Sequence, residues 1–255
     1  MKKRGEKENR PARFPLPDTV RGVCILGMAV YHTLFDIAML TGASPVPERV
    51  LTALRDLGAS LFIFLSGFCF HFCRRRLRRF LVLFLAGCAV TCVTALVMPE
   101  NRILFGILTF MAVSGALLRA LHPLIVKLQP ALGLIFSLGL FLLLFSVNYG
   151  SLGLPGRPLL YLPASLYRNM FTAFFGFPFP GFTSGDYYPL LPWSFICLAG
   201  YFSFLLLKKR DPALRFLSLR VPVLPAVGRY SLAVYLAHQP LILGAVWLIV
   251  RFSAR

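Results

Sequence analysis

Seven stretches of this chain are apolar for roughly the 20 residues that a helix needs to cross a bilayer: 19–41, 57–73, 79–98, 103–120, 130–148, 189–207 and 228–250. Within hydrocarbon, backbone N–H and C=O groups must be satisfied inside the segment, which for runs of this kind means helices. The expected fold is therefore an all-α, polytopic membrane bundle of about seven transmembrane helices. Composition agrees, since 58% of the 255 residues are hydrophobic and only 14% are charged, which excludes a soluble domain of this length. The excess of 27 Lys+Arg over 9 Asp+Glu, a formal charge of +18, would elsewhere suggest nucleic acid. Here the basic residues sit in short segments between the apolar runs. No nucleic-acid partner is expected, and the charge reads as topology and attraction to membrane lipids.

Three connecting segments are basic: Arg74 to Arg79, the stretch holding Arg119, His122 and Lys127, and Lys208 to Arg220. The segments between them carry few positive charges. The positive-inside rule then places the N-terminus in the cytoplasm and the C-terminus outside, in a multi-pass protein of the cell inner membrane. Residues 1–17 read as a disordered basic cytoplasmic tail, and 18–251 as a single transmembrane domain with an outer loop over 149–188. Asp18 is the expected N-cap of the first helix. The second helix, shortest of the seven, could begin nearer Leu54 if Arg55 and Asp56 pair at the interface. Inside the outer loop, residues 159–178 are apolar but broken by Pro163 and Arg168, and are expected as an interfacial or re-entrant helix. The basic start before an apolar run resembles a signal peptide, but His32 and Asp36 inside that run argue for a retained helix.

The first apolar run carries Arg21, His32 and Asp36. The eleven-residue step from Arg21 to His32 returns to nearly the same helix face about 16 Å further on, and Asp36 lies one turn beyond. Each ionisable group in hydrocarbon costs at least about 2.5 kcal/mol, so this stripe is expected to face the bundle interior. Helix-gluing hydrogen bonds are the structural alternative. With a fixed rise per residue, Ser66 and Gly67 of the second helix and His238 and Gln239 of the last fall near the same depth. His32, Asp36 and His238 are accordingly the candidate catalytic residues, with a histidine as general base. Arg21 and Arg229, with the 74–79 cluster, are placed to hold phosphates through charge-assisted hydrogen bonds, and Ser66 is counted with them. Asp186, Tyr187, Trp193 and Gln239 are the candidate contacts to an acceptor, although an aromatic belt at headgroup level would also account for the rings. His32, His238 and Asp36 match no metal-ligand motif, so no metal is expected. The six cysteines all lie in apolar runs and read as packing residues.

Several of these residues fall in longer motifs: Asp18-x-x-Arg21-Gly22 with His32 and Phe35-Asp36, FIFLSG (62–67), FGIL (105–108), DYYPLLPW (186–193) and GRYSLAVYLAHQP (228–240). Together they resemble, in order, the bacterial members of the heparan-α-glucosaminide N-acetyltransferase catalytic-domain family, within the wider transmembrane acyltransferases. The resemblance implies acetyl-CoA as donor substrate, transfer of its acetyl group to an amino-sugar or other glycan-type acceptor on the far side, and His32 at the reaction centre as base or acyl carrier. It leaves room for a homodimer. One departure is Thr109, at a position where members often carry a histidine. The alternative function is a permease for a small polar solute, with the histidines as a proton relay.

Overall fold

The computed structural model describes residues 14–72, 76–209, 215–219 and 222–253. Helices α1 (Pro15–Thr41), α2 (Glu48–Phe68), α3 (Arg76–Val97), α4 (Ile107–Ile125) and α5 (Pro130–Leu143) come first. A hairpin of β1 (Ser151–Leu154) and β2 (Arg157–Tyr161) and the short helix α6 (Met170–Phe175) follow. Helices α7 (Leu190–Leu207), α8 (Leu224–Arg229) and α9 (Ser231–Ser253) complete the described chain. Seven of the described helices are long and apolar enough to cross a membrane, and the protein is a multi-pass membrane bundle.

Local sequence explains the boundaries, and some differ from expectation. Proline is favoured at the first helical position because its missing N–H would have no partner there. Pro15 and Pro17 therefore start α1 three residues before Asp18, which is inside the helix and pairs with Arg21 at 2.8 Å instead of capping. Residues 15–17, expected as tail, are thus helical, while the rest of that tail, residues 1–13, lies outside the described residues. Gly42 ends α1 with a left-handed φ of 71°, its N–H donating to Ala38 at 3.0 Å. Helix α2 begins at Glu48, well before Leu54, and Arg55 and Asp56 form a 2.8 Å pair within it. Gly228 and Arg229 belong to α8, a separate short helix before α9. Cys73, Arg74 and Arg75, the side chain of Arg76, and residues 210–214 and 220–221 of the basic segments lie outside the described residues.

The 159–178 segment is not one helix. Its first residues belong to β2, which pairs antiparallel with β1 from Ser151↔Tyr161 to Leu154↔Arg157. Gly150 and Gly156, with φ of 83° and 74°, supply the left-handed turns at its base and tip. Only Met170–Phe175 is α-helical, started by an Asn169/Thr172 capping box.

The main core lies where α2, α4, α5 and α7 meet, around Ile63, Phe110, Met111, Tyr201 and Phe202. Helices α1, α8 and α9 pack together along one side, and α3 packs on α4. Leu81, Leu85 and Leu96 of α3, Leu132, Ile135 and Phe136 of α5, and Leu241 and Ile249 of α9 face outward as lipid-exposed surface. Two contacts bring backbones together. A Cβ on Gly67 of α2 would overlap the Cys197 carbonyl of α7, and one on Gly200 would overlap the Phe64 carbonyl. A Cβ on Gly228 of α8 would likewise overlap the Asp18 carbonyl of α1, and one on Gly22 the Leu224 carbonyl. Without a hydrophobic force between helices in lipid, such close approach is a principal source of association.

Gly67→Leu should therefore lower the unfolding midpoint in detergent by about 5 °C or more, since the side chain meets rigid backbone. Gly139→Leu, on α5 with open space around its Cα, should leave the midpoint nearly unchanged.

Candidate active site

The close contact of α8 with α1 sets the start of α9 and so the facing of their polar residues. His32 of α1 and His238 of α9 stand with ring centroids 4.9 Å apart. His238 Nδ1 donates to the Tyr235 carbonyl at 2.5 Å, a bond that fixes the proton on Nδ1 and leaves Nε2 with a free lone pair. Pro240, two residues on, has no N–H for the helical ladder and loosens this turn. His238 Nε2 and His32 Nδ1 are buried and have no hydrogen-bond partner. One turn further along α1, Asp36 is fully buried and accepts from Gln239 Nε2 at 3.1 and 3.2 Å through its two oxygens. Asp36 thus ties α1 to α9 and makes no hydrogen bond to His32. The pair Asp36–Gln239 and the pair His32–His238 are successive rungs between the same two helices.

Two cavities approach these rungs from opposite ends of the bundle. The larger, about 430 Å³, lies where α1, α3 and α9 begin and has four arginines in its wall: Arg21, Arg78, Arg79 and Arg229. Apolar residues of α3 and α4, among them Leu83 and Met111, complete it. The smaller, about 70 Å³, contains His32 itself, together with Tyr31, Arg55, Asp186, Tyr188 and Tyr235. Ser66 borders a minor cavity that shares Arg79, Leu83 and Met111 with the large one. Among the described residues no three of His, Cys, Asp and Glu are grouped so as to hold a metal ion.

The sequence that builds this arrangement of an arginine-lined cavity, a histidine pair and a second polar cavity matches a known family. The family model for the catalytic region of heparan-alpha-glucosaminide N-acetyltransferase matches residues 13–240. This chain belongs to that family. The matched stretch runs from two residues before α1 to Pro240 and so contains both cavities and both rungs. The heparan-alpha-glucosaminide N-acetyltransferase family is one of transmembrane acetyltransferases that use acetyl-CoA as donor, which makes the protein a member of an enzyme family. Comparisons with curated proteins and with solved structures give no match.

In this family member the segment 184–188 is clamped to the turn before α4. Leu104 N–H donates to Ser184 Oγ at 2.9 Å, Gly185 N–H to Arg102 O at 3.1 Å, and Tyr188 N–H to Phe105 O at 3.0 Å. Phe105 is held at a φ of 55°, rare for a bulky residue. Gly106, the N-cap of α4, has no side chain to satisfy the first helical N–H, and Asp186 Oδ2 accepts that bond from Ile107 at 3.0 Å. Tyr187 donates to the Ala173 carbonyl of α6, and Trp193 packs between Tyr188 and Phe141 in the core. Neither ring lines a cavity that reaches the histidines. Thr109 bonds the Gly106 carbonyl at 2.7 Å and lies against Gly87 of α3, away from both cavities. From the sequence Arg55 is expected only as a partner for Asp56, and Tyr31 and Tyr235 are not singled out. Tyr235 was within reach, because a residue three before His238 shares its helix face.

Desolvation raises the Asp186 carboxyl above the ordinary aspartate value, opposed by the Ile107 N–H, the Tyr235 hydroxyl and the Arg55 charge. With the folded value above the unfolded one, its contribution to stability is full at low pH and declines as pH rises through the elevated value. Asp186→Asn, which keeps an acceptor for Ile107, should flatten that decline. Asp186→Ala, which leaves the N–H unpaired, should cost about 1–3 kcal/mol in denaturant unfolding at neutral pH.

Proposed function

We propose that the protein transfers an acetyl group from cytoplasmic acetyl-CoA to an amino-sugar or other glycan-type acceptor reached from the outer side, with His32 as general base. The observation that carries this reading is the pair of cavities that approach His32 from opposite ends, one of them walled by Arg21, Arg78, Arg79 and Arg229. A nucleotide with three phosphate groups is an anion suited to such a wall, and guanidinium forks bind phosphate in two-point geometry. The cavity lies at the end where the chain enters α1, beside the basic segments, and this supports a cytoplasmic N-terminus in a cell inner membrane.

Once the thioester stands beside His32, the acceptor nitrogen or oxygen attacks the acetyl carbonyl carbon. His32 takes the proton released by the acceptor, the carbon–sulfur bond breaks, and the CoA thiolate leaves and is protonated in turn. Two buried ring nitrogens without partners support a proton-handling role, because each costs about 1–3 kcal/mol of desolvation that packing alone would not retain. His238, fixed by the Tyr235 carbonyl, stands 4.9 Å from His32 and can accept a hydrogen bond at Nε2. Asp36 and Gln239 act as positioning residues that hold the two helices in register. Arg55 and Asp186 in the second cavity offer a donor and an acceptor to a hydroxyl-rich or amino-bearing substrate.

Purified protein in lipid should release free CoA from acetyl-CoA when offered amino sugars, and His32→Ala should lower that rate by about 10²- to 10⁴-fold. Arg21→Lys should raise KM for acetyl-CoA with a smaller effect on kcat, since a lysine keeps the charge but loses the fork. Uptake of a polar solute that proceeds without acetyl-CoA, and no CoA release with any acceptor, would support the permease instead.

A further inference from the structure

Among the described residues, two side chains border both cavities: Phe62 of α2 and Tyr235 of α9. The wall of α4 divides at the same level, with Leu108 facing the arginine cavity and Ile107 the histidine cavity. Tyr235 is held at three points. Its hydroxyl donates to Asp186 Oδ2 at 3.4 Å, its carbonyl accepts from His238 Nδ1 at 2.5 Å, and its ring lies 5.3 Å from that of His238. The carbonyl bond belongs to the backbone and fixes the helix, whereas the hydroxyl bond is long for O–H···O and is the weak one. A side chain whose only polar anchor is weak can swing while its helix stays in place.

We propose that Phe62 and Tyr235 form the partition between the donor and acceptor cavities, closed when the Tyr235 hydroxyl rests on Asp186 and displaced when a thioester arm passes to His32. The passing arm rests on the acetyl-transfer reading; the partition itself does not. Its chemical use is exclusion of water. Attack of water on the thioester carbonyl would break the same carbon–sulfur bond and give acetate and CoA with no acceptor consumed, a side reaction that a closed site prevents. The anchor on Asp186 also connects the partition to the outer segment. An acceptor that hydrogen-bonds Asp186 competes with the Tyr235 hydroxyl and so favours the open position.

Cys24 gives a readout that needs no chemistry, because this buried thiol lines the histidine cavity. In proteoliposomes holding a variant with Cys24 as its sole cysteine, a charged methanethiosulfonate added on the arginine-cavity side should label Cys24 slowly. Tyr235→Ala and Phe62→Ala should each label several-fold faster from that side. Tyr235→Phe, which keeps the ring but lacks the anchor, should fall between parent and Tyr235→Ala. If the alanine variants do not fold, Tyr235→Leu should move labelling in the same direction by less. The same variants should also release more CoA from acetyl-CoA without acceptor. Labelling that is unchanged in folded Tyr235→Ala and Phe62→Ala, or already fast in the parent, overturns the partition. A complete lack of turnover in a parent whose variants label faster would overturn acetyl transfer and leave the partition standing.

Discussion

The contact between Gly228 and the Asp18 carbonyl, matched by Gly22 against Leu224, is the constraint on which the rest of the site depends. Two helices in lipid gain little from burying apolar surface against one another, so their separation is set by how closely backbones can approach. At this crossing α8 lies directly on the first two turns of α1. Helix α9 follows after Tyr230, and its register against α1 is then fixed. The consequence is visible about three and four turns deeper along α1, where His238 meets His32 and Gln239 meets Asp36. The Gly67–Gly200 crossing does the same for α2 and α7, and it carries Phe62 of α2 to the edge of the site.

Within that frame the polar groups divide by how fully they are satisfied. Asp36 is buried with Gln239 on both oxygens, and Asp18 is paired with Arg21. The first joins α1 to α9, and the second is an i, i+3 pair within α1. The histidine pair is the contrary case, because a ring nitrogen on each side is buried without a partner. Gln239 Oε1, at the next rung, is buried without a partner as well, so the unrepaid desolvation is concentrated where α1 meets α9, and the proposed chemistry would draw on it. Among the described residues, Arg21, Arg78, Arg79 and Arg229 crowd one cavity while Arg55 is the arginine that lines the other.

Much of this was legible in the residues because membrane helices obey one-dimensional rules. A span's length and its charged flanks are read directly from the chain, and depth follows from the rise per residue. That arithmetic brought His32 and His238 to one level. It does not rotate the helices about their axes, so it sets Asp36 on the His32 face of α1 without showing that Gln239 from α9 is the residue that reaches it. Residues 159–178 were misjudged for a related reason. Their apolar composition suggested a helix at the interface, but the chain direction there is set by left-handed glycines at 150 and 156 and by the pairing of β2 with β1. Trp193 and Tyr187 show the limit for aromatic residues, since the first packs against the core beside Tyr188 and the second is tied to the Ala173 carbonyl of α6.

The bond from Ile107 to Asp186 also has a meaning for biosynthesis. Its partners lie 79 residues apart, with α5 and the hairpin between them. At a synthesis rate of about 5–20 residues per second, α4 waits on the order of ten seconds after leaving the ribosome before its missing acceptor is made. During that interval α4 begins with an N–H that only water or headgroups can satisfy, which holds its start at the membrane surface. Completion of the fourth helix is therefore tied to arrival of the segment that precedes the sixth spanning helix, α7. The last helix, which carries His238, is made later still, so the α4 side of the cavity that holds His32 is synthesised before the ring that faces His32 exists.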